Sequence, residues 1–261
     1  MKTNILRKNI LFFATILSIF CSTLVEGQSV KIQNVGESVS ISNDFASIDF
    51  NLKSGEYSGL DKKTNKTVFT GARFDLDGGN FGWERAKYNY SFTEVAITDT
   101  LGKGVKLTIK HLPMEGYALP RTLEIRIYEN LPFAVLGFSV TNPNNYTVRI
   151  REAILLNKAI LFPKEKIEKP QVLRGGAGAE PNFVEQTMDI KAYNSVMLTA
   201  KVGNNRFTIV AGGLKYKEFL RQVTLSSKDQ SLTISVEDPQ GKNILPNQTY
   251  HAADDVFLDF V

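Results

Sequence analysis

Between Asp77 and Tyr90 the chain gathers side chains suited to holding a polyhydroxylated ring. The run Asp77-Gly78-Gly79-Asn80-Phe81-Gly82-Trp83-Glu84-Arg85 is glycine-rich and carries the only tryptophan, and Lys87, Tyr88 and Tyr90 follow closely. Sugars are held by stacking an apolar ring face on an aromatic and by pairing hydroxyls with forked polar groups. Trp83 is the candidate stacking face, Glu84 and Arg85 are candidate hydroxyl partners, and Tyr88 completes the candidate carbohydrate-binding set. A second reading stands beside this one: Trp83 and Tyr90 plug the end of a β-sandwich, since large aromatics are mostly buried.

Other chemistries lack their parts. His111 and His251 are far apart and have no local partner, whereas zinc needs several nitrogen or sulfur ligands, so no metal is expected. Asp75 and Asp77 resemble half a calcium loop, without the further oxygen ligands of an EF-hand. The sole cysteine is Cys21, and no serine sits in a Gly-x-Ser-x-Gly elbow. Arg174-Gly175-Gly176-Ala177-Gly178-Ala179-Glu180 has the glycines of a nucleotide loop, but Pro181 and a non-periodic stretch follow where a helix must open, so it reads as a mobile surface loop and no cofactor is expected. A carboxylate pair for glycoside hydrolysis is formed in space rather than in sequence. Glu84, Glu180, Asp254 and Asp255 are the candidates for such a pair.

The elements that must position these residues are strands. Asn194 to Gly213 shows the pattern most fully. Val196, Leu198, Ala200 and Val202 fall on one face, with Met197, Thr199 and Lys201 on the other. Gly203-Asn204-Asn205 interrupts, and Phe207, Ile209 and Ala211 resume the apolar series, which predicts a β-hairpin. The same alternation recurs at Val39–Leu52, Val105–Ile109, Leu123–Ile127, Phe133–Val140, Val148–Leu156 and Val223–Val236. Strands with charged outer faces and turn signals between them predict an all-β fold, a large antiparallel β-sandwich of two packed sheets. Residues 158–193 carry Pro163, Pro170 and Pro181 and read as irregular. Lys215 to Gln222 is the one candidate helix, and Asp238-Pro239-Gln240-Gly241 is a turn signal. Val256 to Val261 is apolar where chain ends are commonly polar, so either this strand is locked into a sheet or the reading frame once continued.

Residues 1–27 read as a signal peptide. Lys2, Arg7 and Lys8 precede the apolar run Ile10–Phe20, and Val25-Glu26-Gly27 offers a cleavage site before Gln28. The run is shorter than the ~20 residues of a membrane span, and Phe20 is too bulky for lipoprotein processing at Cys21. A single domain over residues 28–261, secreted or periplasmic and without a membrane span, is the expectation. The chain carries +4 at pH 7, and removing Lys2, Arg7, Lys8 and Glu26 leaves +2. No basic face of the kind nucleic acid requires stands out in any window.

Arg174 to Glu180, then Asn205-Arg206-Phe207-Thr208-Ile209-Val210-Ala211-Gly212-Gly213, then Tyr250 to Phe260, following a leader and alternating strands, is similar to the N-terminal β-supersandwich of secreted bacterial α-galactosidases of the melibiase type. The resemblance covers nearly all of residues 28–261. It implies a galactose-mutarotase-like supersandwich and a galactoside-related context. In that family a (β/α) barrel follows and carries the catalytic aspartates, so no catalytic residue carries over to this chain. Two functions follow as expectations. One is a non-catalytic carbohydrate-associated domain of a glycoside hydrolase, partnered by a catalytic barrel or separate chain. The other is a complete glycosidase or sugar epimerase, which requires a carboxylate and a histidine facing one sheet surface; a structural envelope role would show instead as a large exposed apolar patch.

Overall fold

The computed structural model describes residues 29–77, 87–114, 118–176, 182–215 and 217–260. The leader, Trp83, Glu84, Arg85 and Glu180 lie outside the described residues. In chain order the strands are β1 (Lys31–Val35), β2 (Ser38–Ser42), β3 (Ala46–Asn51), β4 (Glu56–Asp61), β5 (Lys66–Asp77), β6 (Tyr88–Asp99), β7 (Gly102–Pro113), β8 (Arg121–Tyr128), β9 (Phe133–Thr141) and β10 (Val148–Leu161). Then come β11 (Ile167–Gly176), β12 (Val184–Glu185), β13 (Ile190–Ala192), β14 (Asn194–Val202), β15 (Asn205–Gly213), β16 (Leu220–Ser226), β17 (Ser231–Ile244), β18 (Thr249–His251) and β19 (Val256–Asp259).

They form two large antiparallel sheets. The first runs β1-β2-β3-β4-β5-β10-β17-β16-β13. The second runs β12-β11-β14-β15-β19-β9-β8-β7-β6, with β18 also paired to β9. Alternation decides which side of each strand enters the core. In β8, Leu123, Ile125 and Ile127 are fully buried, while Thr122, Glu124 and Arg126 between them are not. Ile41, Ile48, Phe50 and Phe74 of the first sheet join Leu107, Ile109, Leu136 and Leu258 of the second in one apolar core.

The hairpin of β14 and β15 forms as the sequence predicts. Val202 pairs with Asn205, and Gly203 takes φ 60° in the turn, a region open to glycine at little cost. The apolar ending is locked in place: β19 lies between β15 and β9.

Three expectations are corrected. Lys215 to Gln222 is not a helix. The backbone N–H groups of Lys217, Glu218 and Phe219 donate to the Asp254 carboxylate at 2.5–2.7 Å, which wraps the segment around that side chain before β16 begins. Residues 158–193 are not irregular throughout, since β11 pairs with β14 over Ile167–Gly176. Arg174 to Gly176 is thus the end of a strand, and Pro170 is accommodated at a register shift between Glu168 and Gln171, where no ladder N–H is needed. The Asp238–Gly241 signal does not end a strand either. Those four residues bulge out of β17, between the pairs Ile150–Lys242 and Glu152–Glu237.

Candidate functional site

The outward face of the second sheet carries a charged hollow. Residues paired directly across strands share a face. Arg126 pairs with Lys106 and Val135, Val135 with Phe257, and Phe257 with Gly212, so these form one transverse row. One row along, Glu124 pairs with Thr108 and Gly137. Asp255, just before β19, reaches the same face.

Asp255 organises the hollow. It is ion-paired to Arg126, and Lys215 approaches its other oxygen at 3.0 Å. Burial works against the Arg126 charge, but the Asp255 carboxylate outweighs it and holds the guanidinium protonated more firmly than usual. Arg126 Nε is buried and has no hydrogen-bond partner among the described residues. The Tyr128 hydroxyl donates to Asp99 at 2.7 Å. Asp99, Thr100, Leu101, Arg126, Tyr128, Leu214, Lys215 and Asp255 line a cleft of about 310 Å³.

Two glycines make room for this arrangement. A Cβ at Gly137 would stand 3.1 Å from Arg126 Nη2 and 3.2 Å from Asp255 Oδ1, so the ion pair rests over bare backbone. A Cβ at Gly104 would collide with the Ile127 carbonyl and approach Tyr128 Cδ1 at 3.1 Å. Phe133 and Phe257, half-buried on the same face, meet edge-on with centroids 6.0 Å apart. The site thus combines carboxylates, cations, a tyrosine and an aromatic flank. With Asp99, Glu124 and Asp255 against Lys106, Arg126 and Lys215, it is balanced in charge. Such a site suits a neutral polyhydroxylated ligand better than a strong anion.

Of the sequence-predicted binding residues only Tyr88 is among the described ones. Tyr88 is 8% exposed, inside the sandwich. The Arg121 guanidinium covers its ring at 4.4 Å, and His111 packs edge-on at 5.9 Å. Burial pushes its hydroxyl up, more than Arg121 draws it down. Of the acidic candidates, Asp254 is fully buried: besides the three backbone donors it holds Arg221 at 2.7 Å, a structural role. Of the two acidic candidates among the described residues, Asp255 is the one that reaches the hollow. Arg126, Lys215, Tyr128, Asp99 and Gly137 were not singled out by sequence, because only the pairing of β6 to β9 and β19 brings them together.

The histidines also divide. His111 is 1% exposed on the core face of β7, enclosed by Phe50, Phe74, Tyr88 and Tyr90. His251 pairs with Ser139, which pairs with Thr122, and is exposed on the same outward face as Glu124 and Asp255. Among the described residues no group of three or more His, Cys, Asp or Glu is arranged to hold a metal ion. No described helix is long and apolar enough to cross a membrane.

No protein-family model and no curated protein matches the sequence. Solved structures do share its architecture. The galactosidase domain of an α-galactosidase–sucrose kinase superposes with a TM-score of 0.57 at 9% identity, over 89% of this chain and 42% of that one. A GH36 α-galactosidase from Geobacillus stearothermophilus gives 0.56 at 13% identity, over 89% and 41%. The α-galactosidase from Lactobacillus brevis gives 0.51 at 11% identity, over 90% and 40%. The chain therefore spans 40–42% of the length of these enzymes. At such identities the likeness is one of fold, and at that level the resemblance read from the sequence, to the large sandwich domain of α-galactosidases, holds.

Proposed function

We propose that this chain is a non-catalytic, carbohydrate-associated sandwich domain of an exported α-galactosidase-like glycoside hydrolase, working beside a catalytic barrel. The observation that carries this reading is the charge-balanced hollow over Gly137, where Asp255 is held between Arg126 and the half-exposed Lys215. A sugar hydroxyl accepts from the exposed Lys215 ammonium and donates to Asp255 or Asp99, and Phe133 and Phe257 supply an apolar flank. The solved structures of like fold are described as α-galactosidases, which directs the proposal to galactosides. Export to the periplasm or beyond rests on residues 1–27. Separately, Trp83, Glu84, Arg85 and Tyr88 are proposed as a second sugar-binding set; Tyr88, at the opposite end of β6 from Asp99, is itself buried.

A second reading is favoured by one observation: His251 and the carboxylates Glu124 and Asp255 share the outward face. A histidine and a carboxylate across one sugar suffice for proton transfer in an epimerase. Two assays on the purified chain separate the readings. The first reading expects an aryl α-galactoside to stay intact, and a pure sugar anomer to equilibrate no faster than in buffer. Anomer interconversion or hydrolysis abolished by both His251→Ala and Glu124→Gln would establish the second.

A further inference from the structure

The four ends of the two sheets are guarded unequally. β12 has two residues, β13 three and β1 five. β6 has twelve. Long edge strands expose unpaired backbone groups and are ordinarily blunted by lysine, proline or a bulge. β6, Tyr-Asn-Tyr-Ser-Phe-Thr-Glu-Val-Ala-Ile-Thr-Asp, contains neither lysine nor proline, and the one charge within it before Asp99 is Glu94, which any pairing must accommodate. It pairs with β7 through twelve consecutive residues, Tyr88–Pro113 to Asp99–Gly102, without a register shift.

The hydrogen-bond phase of this edge is fixed. Met114 N–H donates to the Lys87 carbonyl, and Glu129 N–H donates to the Lys103 carbonyl, both at 2.9 Å. In an antiparallel ladder the bonded pairs alternate, so odd-numbered residues of β6 bond to β7. The even-numbered ones, Phe92, Glu94, Ala96 and Thr98 among them, turn their N–H and C=O groups to the free side. Thr93, Glu94, Val95 and Ala96 are all exposed, with Val95 at 56%. Residues 93–96 are therefore open on both faces as well as along the edge.

We propose that β6 is a homodimer interface, pairing antiparallel with β6 of a second copy of this chain about a two-fold axis at Val95. The register follows from the strand itself. An axis at Glu94 would set two carboxylates face to face, which is unfavourable. An axis at Ala96 would shorten the overlap by two residues, and one at Thr93 would move its centre off the open stretch toward Tyr88 and Tyr90, whose rings pack on His111 in the core. An axis at Val95 places Val95 against its own copy and Thr93 against Ile97. Glu94 then lies opposite Ala96 in a bonded pair, Phe92 lies opposite Thr98, and no like charges face. The contact is self-complementary, as a two-fold interface must be. It would join the two second sheets into one. It would also set Ser91 of the second copy beside Asp99, at the rim of the proposed sugar site, although the interface does not rest on that site being one.

The test is sedimentation velocity of the full chain over a concentration series, with two substitutions at exposed Ala96. The wild type is expected to show a concentration-dependent monomer–dimer equilibrium. Ala96→Glu sets two symmetry-related like-charge pairs with Glu94 and is expected to weaken the dimer about 2- to 30-fold, while Ala96→Lys sets two opposite-charge pairs and is expected to tighten it by a similar factor. Both variants should keep the wild-type circular dichroism spectrum. A chain that stays monomeric at every concentration would overturn the proposal, including where β6 serves a strand of another protein. A dimer indifferent to both substitutions, or shifted the same way by both, would overturn it too.

Discussion

Asp254 and Asp255 are adjacent in the chain and serve opposite sides of the second sheet. Asp254 turns inward, where it is fully buried and holds Arg221 of the first sheet at 2.7 Å. Asp255 turns outward, to Arg126 and Lys215. One strand entry thus supplies an internal tie between the sheets and the central carboxylate of the candidate site.

The inward member is a stability element. Asp254→Ala strands three backbone N–H groups and leaves the Arg221 guanidinium buried without its carboxylate. Removing one partner of a buried pair costs about 3–5 kcal/mol. Urea unfolding should show a loss of that order, with binding at the outward face preserved in the fraction that remains folded.

The same residue predicts acid sensitivity. Burial pushes the Asp254 carboxyl up, but the N–H donors of Lys217, Glu218 and Phe219, together with Arg221, outweigh it, and the net direction is down from 3.8. A depressed folded value stabilises the protein above the unfolded value and is lost as pH falls through the folded one. Stability measured below about pH 4 should therefore drop in the wild type, and Asp254→Asn should flatten that part of the profile.

His111 acts in a higher window. Burial, and then the charge of Arg121, hold its imidazole well below 6.5, and neither ring nitrogen has a hydrogen-bond partner among the described residues. The folded state keeps it neutral where the unfolded chain takes up a proton. Its contribution is complete above about pH 6.5 and is lost as pH falls toward the folded value. His111→Leu, which also removes two unpartnered buried nitrogens, should abolish the slope of stability just below pH 6.5. An unchanged slope, read from urea midpoints at closely spaced pH values, would place its origin elsewhere.

The glycines under the hollow should behave differently. At Gly104 an added Cβ meets the Ile127 carbonyl, which is backbone and cannot swing aside. At Gly137 its tight contacts are with the ends of Arg126 and Asp255, and Glu124 Cβ lies at an ordinary 3.9 Å. Gly104→Ala is expected to destabilise the fold by about 1–3 kcal/mol, on the scale of overpacking. Gly137→Ala should leave the melting temperature nearly unchanged while displacing the ion pair and weakening sugar binding. Thermal melts of the two variants side by side check the contrast.

Much of the fold was legible because alternation is a local signal. Val196 to Val202 and Leu123 to Ile127 declare their buried faces within seven residues, and so the sandwich follows. What misled were local signals that a distant partner reinterprets. Lys215 to Gln222 lacks a helix because Asp254 captures its N–H groups. Asp238–Gly241 is a bulge because β10 continues to pair on both sides of it. The candidate site was less legible still. Arg126 and Asp255 stand 129 positions apart, and in the sequence Arg126 is only one of many outward charges. Trp83, Glu84 and Arg85 announced themselves by composition, a cue that does not depend on where a residue lies in the sheets.

The central claim, that the hollow over Gly137 holds a galactoside-like sugar, is tested most directly by titrating isotope-labelled chain with galactose and small α-galactosides and following backbone amides. Saturable shifts are expected at Thr100, Leu101, Gly137, Leu214, Lys215 and Asp255, and they should vanish in Arg126→Ala while the rest of the spectrum stays folded. Saturable shifts confined to Trp83, Glu84 and Arg85 and surviving Arg126→Ala, or no shifts up to the solubility of the sugars, would contradict it.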